Sequence, residues 1–174
     1  DREIIMKKIA VLVENNFEES ELIYPYHRFR EDYEVTLVGS EADTEYTGKA
    51  GGWTIKSDKA SSEVSASDFD AVYIPGGYSP DAMRQNKDTV KFVKEMHEAG
   101  KIVAAVCHGP WVLAEAGLLD GVKVTSVSAI STDIKNAGAN WVDEECVVDN
   151  NIITARTPVD LPVHVKTVTK ELGK

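Results

Sequence analysis

Four short runs, residues 9–13, 35–38, 71–74 and 102–106, are largely apolar and rich in β-branched side chains, without strict alternation with polar residues. A strand with one wet face alternates, whereas a strand covered on both faces does not, so these runs read as the strands of a parallel sheet. Segments of helical period lie between them. With Asp88 as N-cap, Val90, Val93, Met96 and His97 fall on one stripe and Gly100 stops it. Residues 19–31 place Leu22, Ile23, Tyr26 and Phe29 on one side, with Pro25 either kinking the helix or marking its first turn. The alternation predicts an α/β fold with a mostly parallel central sheet. Gly48, Gly51 and Gly52 divide residues 44–56 into a hairpin appended to that sheet. Further on, the pattern predicts a helix to residue 116, a strand over 122–127 and a helix over 130–137. A second hairpin over 147–149 and 152–154 turns at Asn150-Asn151, and a closing helix spans 161–172. With 174 residues and no repeat or linker, the chain reads as one domain over 1–174, with Met6 a candidate start and residues 1–6 a candidate extension.

Ligands of open parallel sheets bind beyond the carboxyl ends of the strands, so the chemistry is sought in the loops that follow them. Three such loops carry unusual residues: 14–21 with Glu18, Glu19 and Glu21, then Pro75-Gly76-Gly77, then Cys107-His108-Gly109-Pro110. In the last, a thiol sits on the turn from a buried strand to a helix start, where unpaired N–H groups and the helix dipole favour the thiolate. The place is analogous to the nucleophile elbow of serine hydrolases. His108 is the candidate base. The Gly76-Gly77 backbone offers oxyanion donors, with Gly77 and His108 the preferred N–H groups. A glutamate of the first loop, if close to Cys107, would share one proton with it, because a carboxylate and a thiolate resist joint ionisation. Cys146 reads as a small core hydrophobe, His97 and His164 as structural, and His27 as lining a pocket or an interface.

Composition removes several alternatives. A net charge of −10 with scattered Lys and Arg speaks against nucleic acid as a partner. Two cysteines without a Cys-x-x-Cys pair speak against a disulfide framework or a zinc ribbon, and the expected location is a reducing cytoplasm. No apolar stretch approaches membrane-span length.

Together, Asn16-Phe17-Glu18-Glu19, Glu21-Leu22-Ile23-Tyr24-Pro25, Pro75-Gly76-Gly77, Ala105-Val106-Cys107-His108-Gly109-Pro110 and the stretch from Asn136 to Asp143 resemble the PfpI family, within the superfamily that includes the parkinsonism-associated protein. The resemblance implies a flavodoxin-like three-layer sandwich related to class I glutamine amidotransferases, assembled as a dimer or a hexamer, with no cofactor. It implies Cys107 as nucleophile, Glu18 hydrogen-bonded to it and His108 as its partner. It also places Asp81, after the Pro-Gly-Gly turn, as an acid supplied in trans to a neighbouring subunit's histidine. The activities it implies are glyoxalase, protein deglycase or cysteine peptidase, on small carbonyl compounds or on glycated or unfolded protein. A non-catalytic oxidative-stress sensor or chaperone is the alternative of a different class. Glutaminase chemistry is disfavoured, since His164-Val165-Lys166 has lysine where that mechanism needs an acid.

Overall fold

The computed structural model describes residues 5–173, so residues 1–4 of the candidate extension over 1–6 lie outside the described residues. Strands β1 (Lys8–Leu12), β2 (Glu34–Gly39), β5 (Lys59–Ala60), β6 (Ala71–Ile74), β7 (Ile102–Val106), β10 (Cys146–Asp149) and β11 (Ile152–Ala155) form one sheet in the order β10-β11-β7-β6-β1-β2-β5. Every neighbouring pair is parallel except β10 with β11, the hairpin predicted around Asn150-Asn151. The chain begins in the middle of the sheet at β1, crosses to β2 on one side and to β6 on the other. That reversal opens a crevice at the carboxyl ends of β1 and β6.

Alternate residues of each strand feed two separate cores, which is why the strand sequences lack alternation. Ala10, Leu12, Val72, Ile74, Val103 and Ala105 pack with Phe92, Val93 and Met96 of α3 (Lys87–Glu98) and Leu113 of α4 (Pro110–Glu115). On the opposite face Ile9, Val11, Tyr73, Ala104 and Val106 pack with Leu22 and Phe29 of α1 (Glu19–Arg30) and Val165 and Val168 of α6 (Leu161–Leu172). The result is the three-layer flavodoxin-like sandwich. Pro25 sits inside α1 rather than at its start, and α1 forgoes the N–H bond that position would supply.

The structure departs from the sequence expectation at three local features. The N-cap of α3 is Asn86, whose side chain accepts from the N–H groups of Asp88 and Thr89. The hairpin of β3 (Glu45–Thr47) and β4 (Thr54–Lys56) forms its own two-stranded sheet instead of extending the main one. The predicted strand over 122–127 shrinks to β8 (Lys123–Val124), paired in parallel with β9 (Asn140–Trp141). Beyond it the chain turns inward, with Thr125 N–H donating to Thr154 Oγ1 at 2.9 Å and Val127 N–H to the Cys107 carbonyl at 3.1 Å. The short helices α2 (Ser79–Met83) and α5 (Ser131–Asn136) complete the set. Among the described residues no helix is long and apolar enough to cross a membrane.

His164, on α6, is fully buried, in keeping with a structural role. The Ile153 carbonyl can only accept, so His164 Nε2 carries the hydrogen and donates to it at 2.9 Å. Nδ1 is then left to accept from the Tyr73 hydroxyl, also at 2.9 Å. Burial pushes His164 from 6.5 down to about 4. The unfolded chain therefore binds this proton more readily than the native one. The stabilising effect is intact above pH 6.5 and erodes as the pH falls toward 4, by about 3 kcal/mol in all. Nitrogen NMR of the imidazole should show the Nε2–H tautomer, with no titration until about pH 4. A midpoint near 6.5 would refute this account of the buried ring.

Candidate active site

Cys107 stands where β7 passes into α4, with φ at 63°, in the left-handed region that side chains rarely occupy. The surroundings hold the elbow from both sides. Cys107 N–H donates to the Ala155 carbonyl at 3.0 Å, its own carbonyl accepts from Val127 N–H, and Gly109 N–H donates to the Val106 carbonyl at 2.8 Å. A Cβ on Gly109 would lie 2.8 Å from the Ile74 carbonyl oxygen and 2.9 Å from that of Val106. Glycine at 109 is therefore a packing requirement of the turn. Pro110 opens α4 without needing a hydrogen-bond acceptor there.

The glutamate beside the thiol is Glu21, not Glu18. Glu18 lies just before α1, and its carboxylate pairs with the Lys49 ammonium at 2.5 Å and accepts from Ser20 Oγ at 3.0 Å. Its partial burial alone would raise its pKa, yet Lys49 and Ser20 hold it below the ordinary carboxylate range. A carboxylate so held has no proton to donate to a thiolate. Glu21, on the first turn of α1, is fully buried. Its Oε1 accepts from Gly76 N–H at 2.8 Å, and its carboxyl interacts with the Cys107 thiol. Oε2 is buried with no partner at full hydrogen-bond geometry. Burial, reinforced by the charge of Glu18, lifts Glu21 to about 7 despite the Gly76 N–H.

Burial and the adjacent Glu21 carboxylate push the Cys107 thiol up to about 12, against the opposing pull of His108 N–H and Lys49. The expected helix-dipole effect is thus outweighed, since α4 is only six residues long. What the pair resists is double ionisation. With a single proton between them, the thiolate forms when Glu21 keeps it.

His108 Nδ1 lies 3.4 Å from Cys107 Sγ. Burial, then Lys49, lowers its pKa, which keeps the ring neutral and able to accept a proton. The ring meets Trp111 edge to face at 5.1 Å, and the Arg84 guanidinium stacks on that indole at 4.6 Å. Asp81 is exposed and pairs with Arg84 at 3.3 Å; within one protomer its ion-pair partner is this arginine and not His108. Gly76 is excluded as an oxyanion donor because its N–H is committed to Glu21. Gly77, at φ 75°, lines the cleft, and its N–H donates to no group among the described residues.

These groups border a cleft of about 210 Å³ that also takes in Lys49, Tyr78 and Pro158. Lys49 carries no sequence signal of a site, being one lysine in a hairpin turn. Cys146 lies on β10, where its thiol interacts with Thr167. His27 faces a shallow hollow of about 480 Å³ along α1 with Tyr24, apart from the cysteine cleft.

Known proteins are similar to this chain in sequence and in fold. Deglycase TK1284 of Thermococcus kodakarensis is 46% identical over 154 residues, covering 88% of this chain and 92% of that protein. YraA of Bacillus subtilis, named as a candidate cysteine protease, is 49% identical over 156 residues, 89% of this chain and 92% of its own. The crystal structure of Drosophila melanogaster DJ-1beta superposes with a TM-score of 0.90 at 28% identity, over 97% of this chain and 91% of that one. The family model described as the DJ-1/PfpI family matches residues 7–171, and the chain belongs to that family.

Proposed function

We propose that the protein is a cysteine-dependent enzyme that attacks reactive or glycated carbonyls, of the glyoxalase and deglycase type. The observation that carries this reading is the proton-sharing pair: a buried Glu21 lifted to about 7 against Cys107 on a strained elbow. Cys107 Sγ bonds to the aldehyde carbon, the carbonyl π pair moves to oxygen, and that oxygen takes the proton kept by Glu21. Gly77 N–H, which donates to no group among the described residues, is the candidate donor to the developing charge. His108, neutral and 3.4 Å from the sulfur, is the candidate base for moving the C–H proton of the adduct to the neighbouring carbon. For methylglyoxal this gives a lactyl thioester, and water releases lactate without any external oxidant. For the hemiaminal of a glycated amine, Cys107 Sγ bonds to the same carbon as its C–N bond breaks, the amine leaves with the proton kept by Glu21, and the same thiohemiacetal results.

The deglycase name of the Thermococcus relative supports the same reading. Peptidase action is the second reading, favoured by the name of the Bacillus relative. The cleft of about 210 Å³ suits a small carbonyl or a single adducted side chain better than an extended polypeptide. Asp81, in this scheme, serves only through an assembled oligomer. The test is a side-by-side assay on methylglyoxal, a methylglyoxal-modified peptide and a denatured protein. Lactate from the first two and no cleavage of the third is expected. Cleavage of the third without lactate would replace this reading with the peptidase.

A further inference from the structure

Among the described residues lining the cleft, Lys49 is the one cation, in a chain whose net charge of −10 turns anions away elsewhere. It is also built in. The tip of the β3–β4 hairpin is fastened to the loop before α1 by Lys49 N–H to the Phe17 carbonyl at 2.9 Å, and to the first residue of α1 by Ala50 N–H to Glu19 Oε2 at 2.9 Å. Asn16 N–H donates to the Thr47 carbonyl at 2.8 Å, and Trp53 meets Phe17 edge to face at 6.0 Å. A Cβ on Gly48 would collide with the Glu19 carboxylate, so the hairpin sits against this loop as closely as its backbone allows. These fastenings hold the root of Lys49 on the rim while its ammonium rests on Glu18 at 2.5 Å. The two side chains are 40% and 20% exposed, and an ion pair as accessible as this exchanges partners readily.

We propose that the cleft selects carbonyl substrates carrying an anionic group, a carboxylate or a phosphate, beside the reacting carbon. Lys49 binds that anion, and Glu18 is the internal carboxylate that it displaces. Glu18 thereby gains a role different from the one the family resemblance implies. The inference rests on Cys107 being the nucleophile of this cleft.

Stoichiometric alkylation reads the preference without turnover. Iodoacetate and iodoacetamide need the same Cys107 thiolate and differ in charge, so changes in thiol ionisation cancel in their rate ratio. Modification of Cys107 alone is counted by peptide mass spectrometry. Relative to free cysteine, the iodoacetate-to-iodoacetamide ratio should fall about tenfold in Lys49→Met and survive in Lys49→Arg. It should rise about threefold in Glu18→Gln, where the internal competitor is gone. Protection of Cys107 from iodoacetamide by acetate would identify carboxylate as the anion recognised, and protection by inorganic phosphate would identify phosphate. A ratio unchanged in both Lys49→Met and Glu18→Gln overturns the proposal. Carbonyl turnover with an unmoved ratio removes the anion site and leaves the proposed activity standing. A ratio that moves in a protein without carbonyl turnover does the reverse.

Discussion

Replacing Cys107 by alanine is expected to lower turnover of methylglyoxal and of its peptide adducts by a factor of about 10³ or more, while the protein still folds. The size follows from losing the proposed nucleophile: Glu21, Gly77 N–H and His108 remain in the cleft to polarise or deprotonate a carbonyl, but none of them forms the covalent adduct. Folding survives because the hydrogen bonds that hold the elbow, to Ala155 and from Val127, belong to the backbone. Alanine at a φ of 63° carries the same strain as cysteine does. Cys146→Ala is the matched control and should keep activity within about twofold, because its thiol is half-buried against Thr167 and raised in pKa by that burial. Lactate release measured beside thermal melts separates the two outcomes. Turnover persisting in Cys107→Ala would mean a contaminant or a different site.

The architecture was legible because its signal is local. Strands covered on both faces must be apolar at successive positions, and β1, β6 and β7 sit within a residue of the runs at 9–13, 71–74 and 102–106. The elbow was legible for a related reason: Cys-His-Gly-Pro contains both the residue that must be small and the one that needs no N–H acceptor. Which glutamate meets the thiol is a matter of helical phase. Glu21 shares the buried side of α1 with Leu22, Pro25 and Phe29, so a charged residue stood on an apolar stripe. Glu18, before the helix begins, escapes that stripe and reaches Lys49. The available sign is the phase of the helix, and the stripe expected over Leu22, Ile23, Tyr26 and Phe29 is rotated away from Glu21. Lys49 left no comparable sign, because its place depends on a hairpin docking against a loop some 30 residues away in sequence. Gly76 misled for the same reason: which acceptor claims its N–H is settled by tertiary packing of α1, not by the Pro-Gly-Gly turn itself.

Glu21→Gln should separate stability from activity in opposite directions. The amide keeps an oxygen to accept from Gly76 N–H but has no proton to lend and take back. Turnover is expected to fall by about 10²–10³, within the range for losing a general acid–base together with the partner that lets the thiolate form. Stability should move the other way at neutral and alkaline pH. Burial raises Glu21 from 4.5 to about 7, so the native state favours its protonated form more than the unfolded chain does. The stabilising effect is complete below pH 4.5 and is lost as the pH rises to about 7, a difference on the order of 3 kcal/mol. Glutamine escapes that loss. Denaturant unfolding should find the variant close to the parent near pH 4.5 and more stable at pH 8 by about 1–3 kcal/mol, once the weaker bond to Gly76 is allowed for. His164 supplies a cross-check, because its effect runs oppositely between pH 6.5 and 4. In the parent the two largely offset each other, and removing the Glu21 titration should expose the acid-side loss due to His164. A stability difference that is flat from pH 4.5 to 8 would show that Glu21 is not the raised carboxyl, and the proton-sharing account of Cys107 would fall with it.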